Sequence, residues 1–375
     1  MEQFPRILFA GGGTGGHVYP AIAIADAIRK LVPRASIEFA GTKERMEWQA
    51  VPKAGYTIHP ITVSAFHRKN LLRNVGFPFK LLQGLWQSRS LSKQFDPHVV
   101  VGTGGFVSGP VLWTASMGGK PIVIQEQNAF AGVTNKLLGK RAKQIHIAFP
   151  EAEAYFPPGR CYLSGNPTRA ILQDADRAEG RQFYAIPPDA ELLFVFGGSL
   201  GSAALNAAMA RHLDALLADD RRYIIWQTGR IYYDRYREQV PEHERLQLRQ
   251  YIDRMDLAYA ASDVTLCRAG AISCSELMVT QSPAILVPSP NVAEDHQTYN
   301  AKSLVDAGAA VLLREADLDA QLVDHVRDLM ADDERRAAMR NALTTIARPD
   351  AADTIAREVL ALAGWDLEKD AMANL

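Results

Sequence analysis

Three times along this chain a short apolar run ends in a glycine-rich turn, and no other feature restricts the possible folds as strongly. The first is Ile7-Leu8-Phe9-Ala10-Gly11-Gly12-Gly13-Thr14-Gly15-Gly16-His17, ahead of a helical pattern from Ala21 to Leu31. The second is Val101-Gly102-Thr103-Gly104-Gly105-Phe106-Val107-Ser108-Gly109. The third, Phe196-Gly197-Gly198-Ser199-Leu200-Gly201-Ser202, leads into a helical segment containing Asn206. Strand, glycine turn and helix in that order bring backbone amides and a helix N-terminus up to a polar or anionic ligand.

Around these turns, β-rich apolar runs alternate with helix-length segments. They are Ile7 to Ala10, Ile37 to Ala40, Val99 to Val101 and Ile122 to Ile124, then Leu192 to Phe196, Tyr223 to Trp226, Val264 to Leu266 and Ala284 to Val287. Such alternation predicts parallel sheets covered on both faces. At 375 residues, 47% of them hydrophobic, the chain exceeds the roughly 250 to 300 residues that one core supports. The expected architecture is α/β, two Rossmann-like doubly wound domains over 1–164 and 165–349. The break falls near Gly165-Asn166-Pro167, after a weak strand signal at Cys161 to Leu163. A helical tail over 350–375 is able to pack back on the first domain.

Charge divides unevenly between the halves. Residues 1–165 carry 19 basic and 9 acidic side chains, and the remainder 22 and 33, although the whole chain is at -1. A basic half predicts an anionic partner such as phosphate, pyrophosphate or a lipid surface. Cys161, Cys267 and Cys274 match neither a disulfide framework nor a zinc-ligand spacing, which points to a reducing cytoplasm. Met1 to Leu8 lacks the pattern of a signal peptide. The uncharged stretch Val99 to Gly119 is broken by glycines and Pro110, so membrane contact is expected to be peripheral.

Gly11, Gly13 and Gly16 formally satisfy the dinucleotide pattern G-x-G-x-x-G, but the acid expected about 20 residues later has only Glu38 as a candidate, inside its strand. Ligands of open α/β sheets bind beyond the carboxyl ends of strands, so three such turns predict one cleft between the domains. The plainer alternative is that the glycines only permit close strand-to-helix packing. Ser199 also fits the G-x-S-x-G elbow of a hydrolase, with Asp263 and His296 available in a permitted order. Two D-x-D matches, Asp174-Ala175-Asp176 and Asp317-Leu318-Asp319, lie in polar segments without a preceding strand and read as solvated helix surface. No metal and no cofactor is expected.

Between Glu47 and Asp96 there is no acid, while Lys53, Arg68, Lys69, Arg73, Lys80, Arg89 and Lys93 occur among Leu71, Leu72, Phe77, Phe79, Leu81, Leu82, Leu85 and Trp86. Leu81 with Leu85 and Leu82 with Trp86 are helix-face pairs. Basic side chains around an apolar patch predict contact with an anionic leaflet and a lipid-linked substrate. With aliphatic residues in the patch and no recognised binding motif, nucleic acid is not the expected partner.

Six segments in register carry a family resemblance over nearly the whole chain. They are Gly12 to Val18, Gln125 to Lys136, Gly165 to Arg169, Gly197 to Gly201, Cys267 to Ala271 and Asp295 to Thr298. In this order the sequence resembles the bacterial N-acetylglucosaminyltransferases that form lipid II. The resemblance implies a two-domain GT-B fold and inverting, metal-independent transfer of N-acetylglucosamine from UDP-N-acetylglucosamine. The acceptor it implies is the undecaprenyl-linked muramyl-pentapeptide, lipid I. It also implies a peripheral location on the cytoplasmic face of the bacterial inner membrane, with anionic leaflet lipids and other cell-wall synthesis proteins as partners.

Residue by residue, the resemblance implies a donor site at Ser199, Asn206, Arg169, Ile252, Arg268, Ala271, Ile272, Ser273, Cys274, Ser275 and Glu276. Within it, Arg268 balances the pyrophosphate, Glu276 takes the ribose hydroxyls, and Ile252 offers uracil a backbone contact. His296 and Gln297 reach the sugar hydroxyls. Thr14, Gly15 and Gly16 line the first turn, and Asn128 and Asn135 bond sugar or acceptor groups. An inverting reaction needs a base on the acceptor side, and His17 and Glu126 both qualify. Two positions depart from the family: Gln125 replaces its common histidine and Phe106 its common tyrosine, and neither side chain transfers protons.

Overall fold

The computed structural model describes residues 4–63 and 76–367, so Arg68, Lys69, Leu71, Leu72 and Arg73 of the basic apolar stretch lie outside the described residues. The chain forms two compact units, Met1–Thr168 together with Asp350–Leu375, and Arg169–Pro349. Each is built on one parallel sheet.

The first sheet holds β1 (Arg6–Gly11), β2 (Ser36–Gly41), β3 (Thr57–Pro60), β4 (Val99–Gly104), β5 (Ile122–Glu126), β6 (Gln144–Ile147) and β7 (Cys161–Leu163). Their order across the sheet is β3-β2-β1-β4-β5-β6-β7. Every residue of β4 and β5 is buried, as expected of central strands covered on both faces. On one face the helix Gly15–Leu31 contributes Val18, Ala21, Ile24, Ala25 and Ile28, spaced three and four apart. The helix Ala351–Leu362 packs beside it and adds Ile355, Ala356, Val359 and Leu360 to the same core. Glu358 accepts from Gln144 Nε2 at 2.7 Å, a further tie of the C-terminal helix to the first sheet.

The second sheet holds β8 (Glu191–Phe196), β9 (Arg222–Gln227), β10 (Leu246–Arg249), β11 (Val264–Cys267), β12 (Ala284–Leu286) and β13 (Ala310–Leu312), in the order β10-β9-β8-β11-β12-β13. Four strands escaped the sequence reading. Three of them, β3, β10 and β13, are short edge strands; β3 and β10 lack a full apolar run, and β13 is only three residues long. The fourth, β6, lies inside the sheet, but its Gln-Ile-His-Ile sequence places two polar residues in the interior. There His146 bonds Ser164 Oγ through Nδ1 at 2.7 Å, and burial pushes its pKa down to about 4, keeping it neutral.

Candidate active site

The first two glycine turns interlock at the carboxyl end of the first sheet. A Cβ at Gly105 would lie 2.2 Å from the Gly12 carbonyl, and one at Gly11 would lie 2.0 Å from Thr103 Oγ1. Close packing is therefore part of what these glycines do. The ring of His17 lies against Gly104, Thr103 Oγ1 donates to the His17 carbonyl at 2.7 Å, and His17 Nδ1 stands 2.9 Å from Gln127 Oε1. Thr14 is exposed and caps the helix without a side-chain bond; Gly15 and Gly16 are half-buried beside it.

Glu47, fully buried behind the first turn, was not singled out from the sequence. Its carboxylate accepts from Gly13 N at 3.0 Å and Thr42 N at 3.1 Å. A carboxylate against Gly13 adds negative charge where a dinucleotide site would admit phosphate. Glu38 is bound to His59 at 2.7 Å, so it is not a free ribose ligand either.

Glu126 ends β5 and organises the segment after it. One oxygen accepts from Asn128 N at 3.0 Å and Asn128 Nδ2 at 3.3 Å, and the other from Gly132 N at 3.0 Å and Asn135 Nδ2 at 2.9 Å. Four donors converge on one buried carboxylate and fix its orientation. Asn135 Oδ1 is buried without a hydrogen-bond partner among the described residues. Phe106 is exposed on the second turn, while Gln125 is buried in an amide network with Gln127 and Asn166.

In the second unit, the helix Ala271–Thr280 begins where β11 ends, and its cap residue Gly270 supplies no side chain. The positive end of the helix dipole lies at this terminus. Ala271, Ile272 and Ser273 are half-buried there. Cys274 contributes backbone only, because its side chain is buried and burial pushes the thiol up to about 12. Ser275 is turned back on the Ala271 carbonyl at 3.0 Å. Glu276, one turn further in, is gripped from two sides: Tyr259 Oη donates to it at 3.0 Å, and Arg169 Nη2 lies 3.4 Å away. Burial raises its pKa, with Arg169 and Tyr259 opposing the shift. Tyr259 was missed in the sequence because it lies in an ordinary helical run, Met255–Ala261.

Several expected ligands are otherwise engaged. Arg268 ion-pairs with Glu315, donates to Ser202 Oγ at 3.0 and 2.6 Å, and donates to the Val287 and Pro288 carbonyls at 3.1 and 3.2 Å. Its charge is thus already balanced, and it braces Ser202, which caps the helix Ala203–Leu216. Asn206 is 0% exposed; it donates to the Thr228 carbonyl and accepts from Trp226, so it fastens that helix to β9 instead of facing solvent. The Ile252 N–H is held by Gln227 Oε1 at 2.8 Å, and Gln227 Nε2 donates in turn to the Gly198 carbonyl. Gln297 Oε1 accepts from Ser289 N at 2.9 Å and pins the segment in front of the helix His296–Asp306.

The hydrolase alternative fails on geometry. Ser199 follows β8 while Asp263 precedes β11, and these strands are parallel neighbours, so the two residues sit at opposite ends of the strands. Asp263 is occupied by Arg177, Arg181 and Leu192 N. Three of the four D-x-D carboxylates are engaged as well: Asp176 caps the helix Arg177–Phe183, Asp317 pairs with Arg314, and Asp319 pairs with Arg211.

The helix Phe77–Phe95 buries Gly84, Ser88 and Leu91 and turns its other face outward. Leu82 is 64% exposed and Trp86 71%; Phe79 and Leu81 are also exposed, and Leu85 is half-buried. Trp113 and Met117 on the adjacent helix Ser108–Met117, and Leu137 on the helix Val133–Gly139, extend the apolar surface. Arg141 stacks over Trp113 at 4.3 Å. Trp113 and Met117 were not singled out earlier because the helix Ser108–Met117 lies in the uncharged stretch and carries no amphipathic signal. No helix among the described residues is long and apolar enough to cross a membrane.

The glycosyltransferase family 28 N-terminal domain matches residues 7–147, and the C-terminal domain of that family matches residues 192–355. A relative from Salinibacter ruber, a UDP-N-acetylglucosamine--N-acetylmuramyl-(pentapeptide) pyrophosphoryl-undecaprenol N-acetylglucosamine transferase, is 56% identical over 96% of this chain and 97% of its own. A relative of the same name from Flavobacterium psychrophilum is 43% identical over 96% of this chain and 98% of its own. The crystal structure of Acinetobacter baumannii MurG matches with a TM-score of 0.78 at 27% identity, covering 95% of this chain and 99% of that one. The fold is GT-B, and with both family domains matched in order, the chain belongs to glycosyltransferase family 28.

Proposed function

We propose that the chain transfers N-acetylglucosamine from UDP-N-acetylglucosamine to the muramyl C4 hydroxyl of undecaprenyl-pyrophosphoryl-MurNAc-pentapeptide, turning lipid I into lipid II. One observation carries the reading from the chain itself. The helix Ala271–Thr280 starts directly after β11 from the cap residue Gly270, and one turn behind its start stands a carboxylate held by Tyr259 and Arg169. Amides for a pyrophosphate followed by an acceptor for two ribose hydroxyls suit a nucleoside diphosphate sugar. The names of the 56% and 43% identical relatives support the same donor and acceptor.

The reaction is a single displacement. The C4 oxygen attacks the sugar C1 from the face opposite the nucleotide, and the C1–O bond to the β-phosphate breaks with inversion. Its electron pair leaves on UDP, and the hydroxyl proton passes to His17. Glu126 already serves four donors, so its part is to shape the segment that presents Asn128 and Asn135. The buried Oδ1 of Asn135, without a hydrogen-bond partner among the described residues, is left to accept from the acceptor. Negative charge growing on the leaving group meets helix-terminal amides, with Arg268 acting through Ser202.

The exposed apolar face of the helix Phe77–Phe95, with Trp113, Met117 and Leu137, seats the protein on the anionic cytoplasmic leaflet where the lipid acceptor lies. Incubation with radiolabelled UDP-N-acetylglucosamine, lipid acceptor and excess chelator tests the reading. Label moving into the lipid product is the expected outcome. Release of free sugar alone, or dependence on an added divalent cation, contradicts it.

A further inference from the structure

We infer that Gln127 is the positioning residue of His17, fixing the imidazole as the tautomer protonated at Nδ1 and leaving the basic lone pair on Nε2. The inference deepens the reading of His17 as base and rests on it for its catalytic consequence. Gln127 is buried, and its amide has one orientation that satisfies its surroundings. Its Nε2 donates to the Thr103 carbonyl at 2.6 Å, to the Gln125 carbonyl at 3.1 Å and to Gln125 Oε1. Turned over, the amide would set its oxygen against three other oxygens in a buried place. Oε1 therefore faces the ring, 2.9 Å from Nδ1. An amide oxygen only accepts, so the hydrogen of that bond belongs to Nδ1.

The orientation is set further back as well. Asn166 Nδ2 donates to the Gln127 carbonyl at 3.0 Å, Gln125 Nε2 donates to Asn166 Oδ1 at 2.8 Å, and Gln125 Oε1 then accepts from Gln127. Three buried amides thus point one way and end at His17. Glutamine at position 125 matters here, because an amide has fixed donor and acceptor ends whereas an imidazole presents either. Gly104 backs the face of the ring, and among the described residues nothing hydrogen-bonds Nε2. When Nε2 takes the acceptor's proton, the Nδ1–H bond to Gln127 persists, so no rearrangement accompanies the step.

The full-length protein, labelled with nitrogen-15 in its nine histidines, reads the tautomer directly in long-range proton–nitrogen NMR spectra. The His17→Ala spectrum identifies the His17 signals. Wild type is expected to show neutral His17 protonated at Nδ1. Gln127→Met should populate the Nε2-protonated form and lose about tenfold or more in kcat while the donor KM holds, as expected of a mis-set base. A wild-type Nε2–H tautomer overturns the inference without any variant, and so does an unchanged tautomer in Gln127→Met. Failure of the base assignment is separable: near-normal turnover in His17→Ala removes the catalytic role while the spectrum still reports the tautomer.

Discussion

Gly104 lies directly beneath the imidazole of His17: a Cβ added there would stand 2.7 Å from Nδ1 and 2.8 Å from Cε1. The backbone at this position also has φ +104°, which disfavours any side chain. Gly104→Ala is therefore expected to displace the ring and weaken its bond to Gln127. General bases contribute about 10²- to 10⁴-fold, so kcat should fall by about 10²-fold. The donor KM should hold, since the groups proposed for the donor belong to the second unit. Steady-state kinetics with both substrates decide it, and a kcat close to wild type would disprove the dependence.

Tyr259 supplies the second grip on Glu276, at 3.0 Å. In Tyr259→Phe the ring packing among Phe194 and Phe196 survives and only the hydroxyl is lost. A hydrogen bond to a charged group contributes about 1.5–3 kcal/mol, which predicts a donor KM raised about tenfold or more with kcat little changed. An unaltered donor KM would mean that Glu276 is placed by its helix alone.

The same carboxylate predicts a conflict between stability and function. Burial raises the pKa of Glu276 in the folded state, so the protonated form is the one the fold favours. Its stabilising contribution is therefore present at low pH and is lost as pH rises through the folded-state pKa. Glutamine mimics the protonated form and still accepts from Tyr259 and Arg169. Glu276→Gln should melt at or above the wild-type Tm near pH 8, with the difference vanishing toward pH 4, while donor affinity drops. Paired thermal scans at the two pH values check the sign; a variant less stable at pH 8 contradicts it.

Much of the architecture was legible because buried parallel strands write themselves as continuous apolar runs, as Leu192 to Phe196 does. What stayed hidden was polar. His146 and Gln144 stand inside a sheet without an apolar signature. Glu47 and Tyr259 become site residues only through contacts 34 and 17 positions away in sequence, and spacing cannot reveal these. Motif resemblance pointed to Arg268 and Asn206 as ligands, yet it carries no information about Glu315 or Trp226, the partners that occupy them.

Arg268 consequently offers a separable prediction. If its task is to brace Ser202 and balance Glu315, Arg268→Ala leaves a half-buried carboxylate unpaired. Breaking one side of a fully buried pair costs about 3 kcal/mol or more, so a cost of about 1–2 kcal/mol is expected here. The double variant Arg268→Ala with Glu315→Ala should then recover a good part of the lost Tm. A free counter-charge for the donor behaves differently: the single variant would lose donor affinity at unchanged Tm, and the second substitution would restore nothing.

The outward face of the helix Phe77–Phe95 joins two forces that salt separates. Leu82 and Trp86 are 64% and 71% exposed, a cost in water that lipid contact relieves. Inserting a side chain of the leucine class contributes about 1.5–3 kcal/mol, so Leu82→Ser with Trp86→Ser should lower partitioning onto anionic vesicles by on the order of 10²-fold. Lys136, Lys140, Arg141 and Lys143 lie in and beyond the helix Val133–Gly139, and on the proposed membrane reading their contribution is one of charge. Their share should disappear as added salt shortens the screening length to about 3 Å at 1 M. Sedimentation with vesicles, with and without anionic lipid, at low and high salt, separates the two contributions. Because Gly84, Ser88 and Leu91 carry the buried face, the double variant should fold normally and retain transfer to a short-chain soluble acceptor. Sedimentation equal to wild type would show that this face does not meet the membrane.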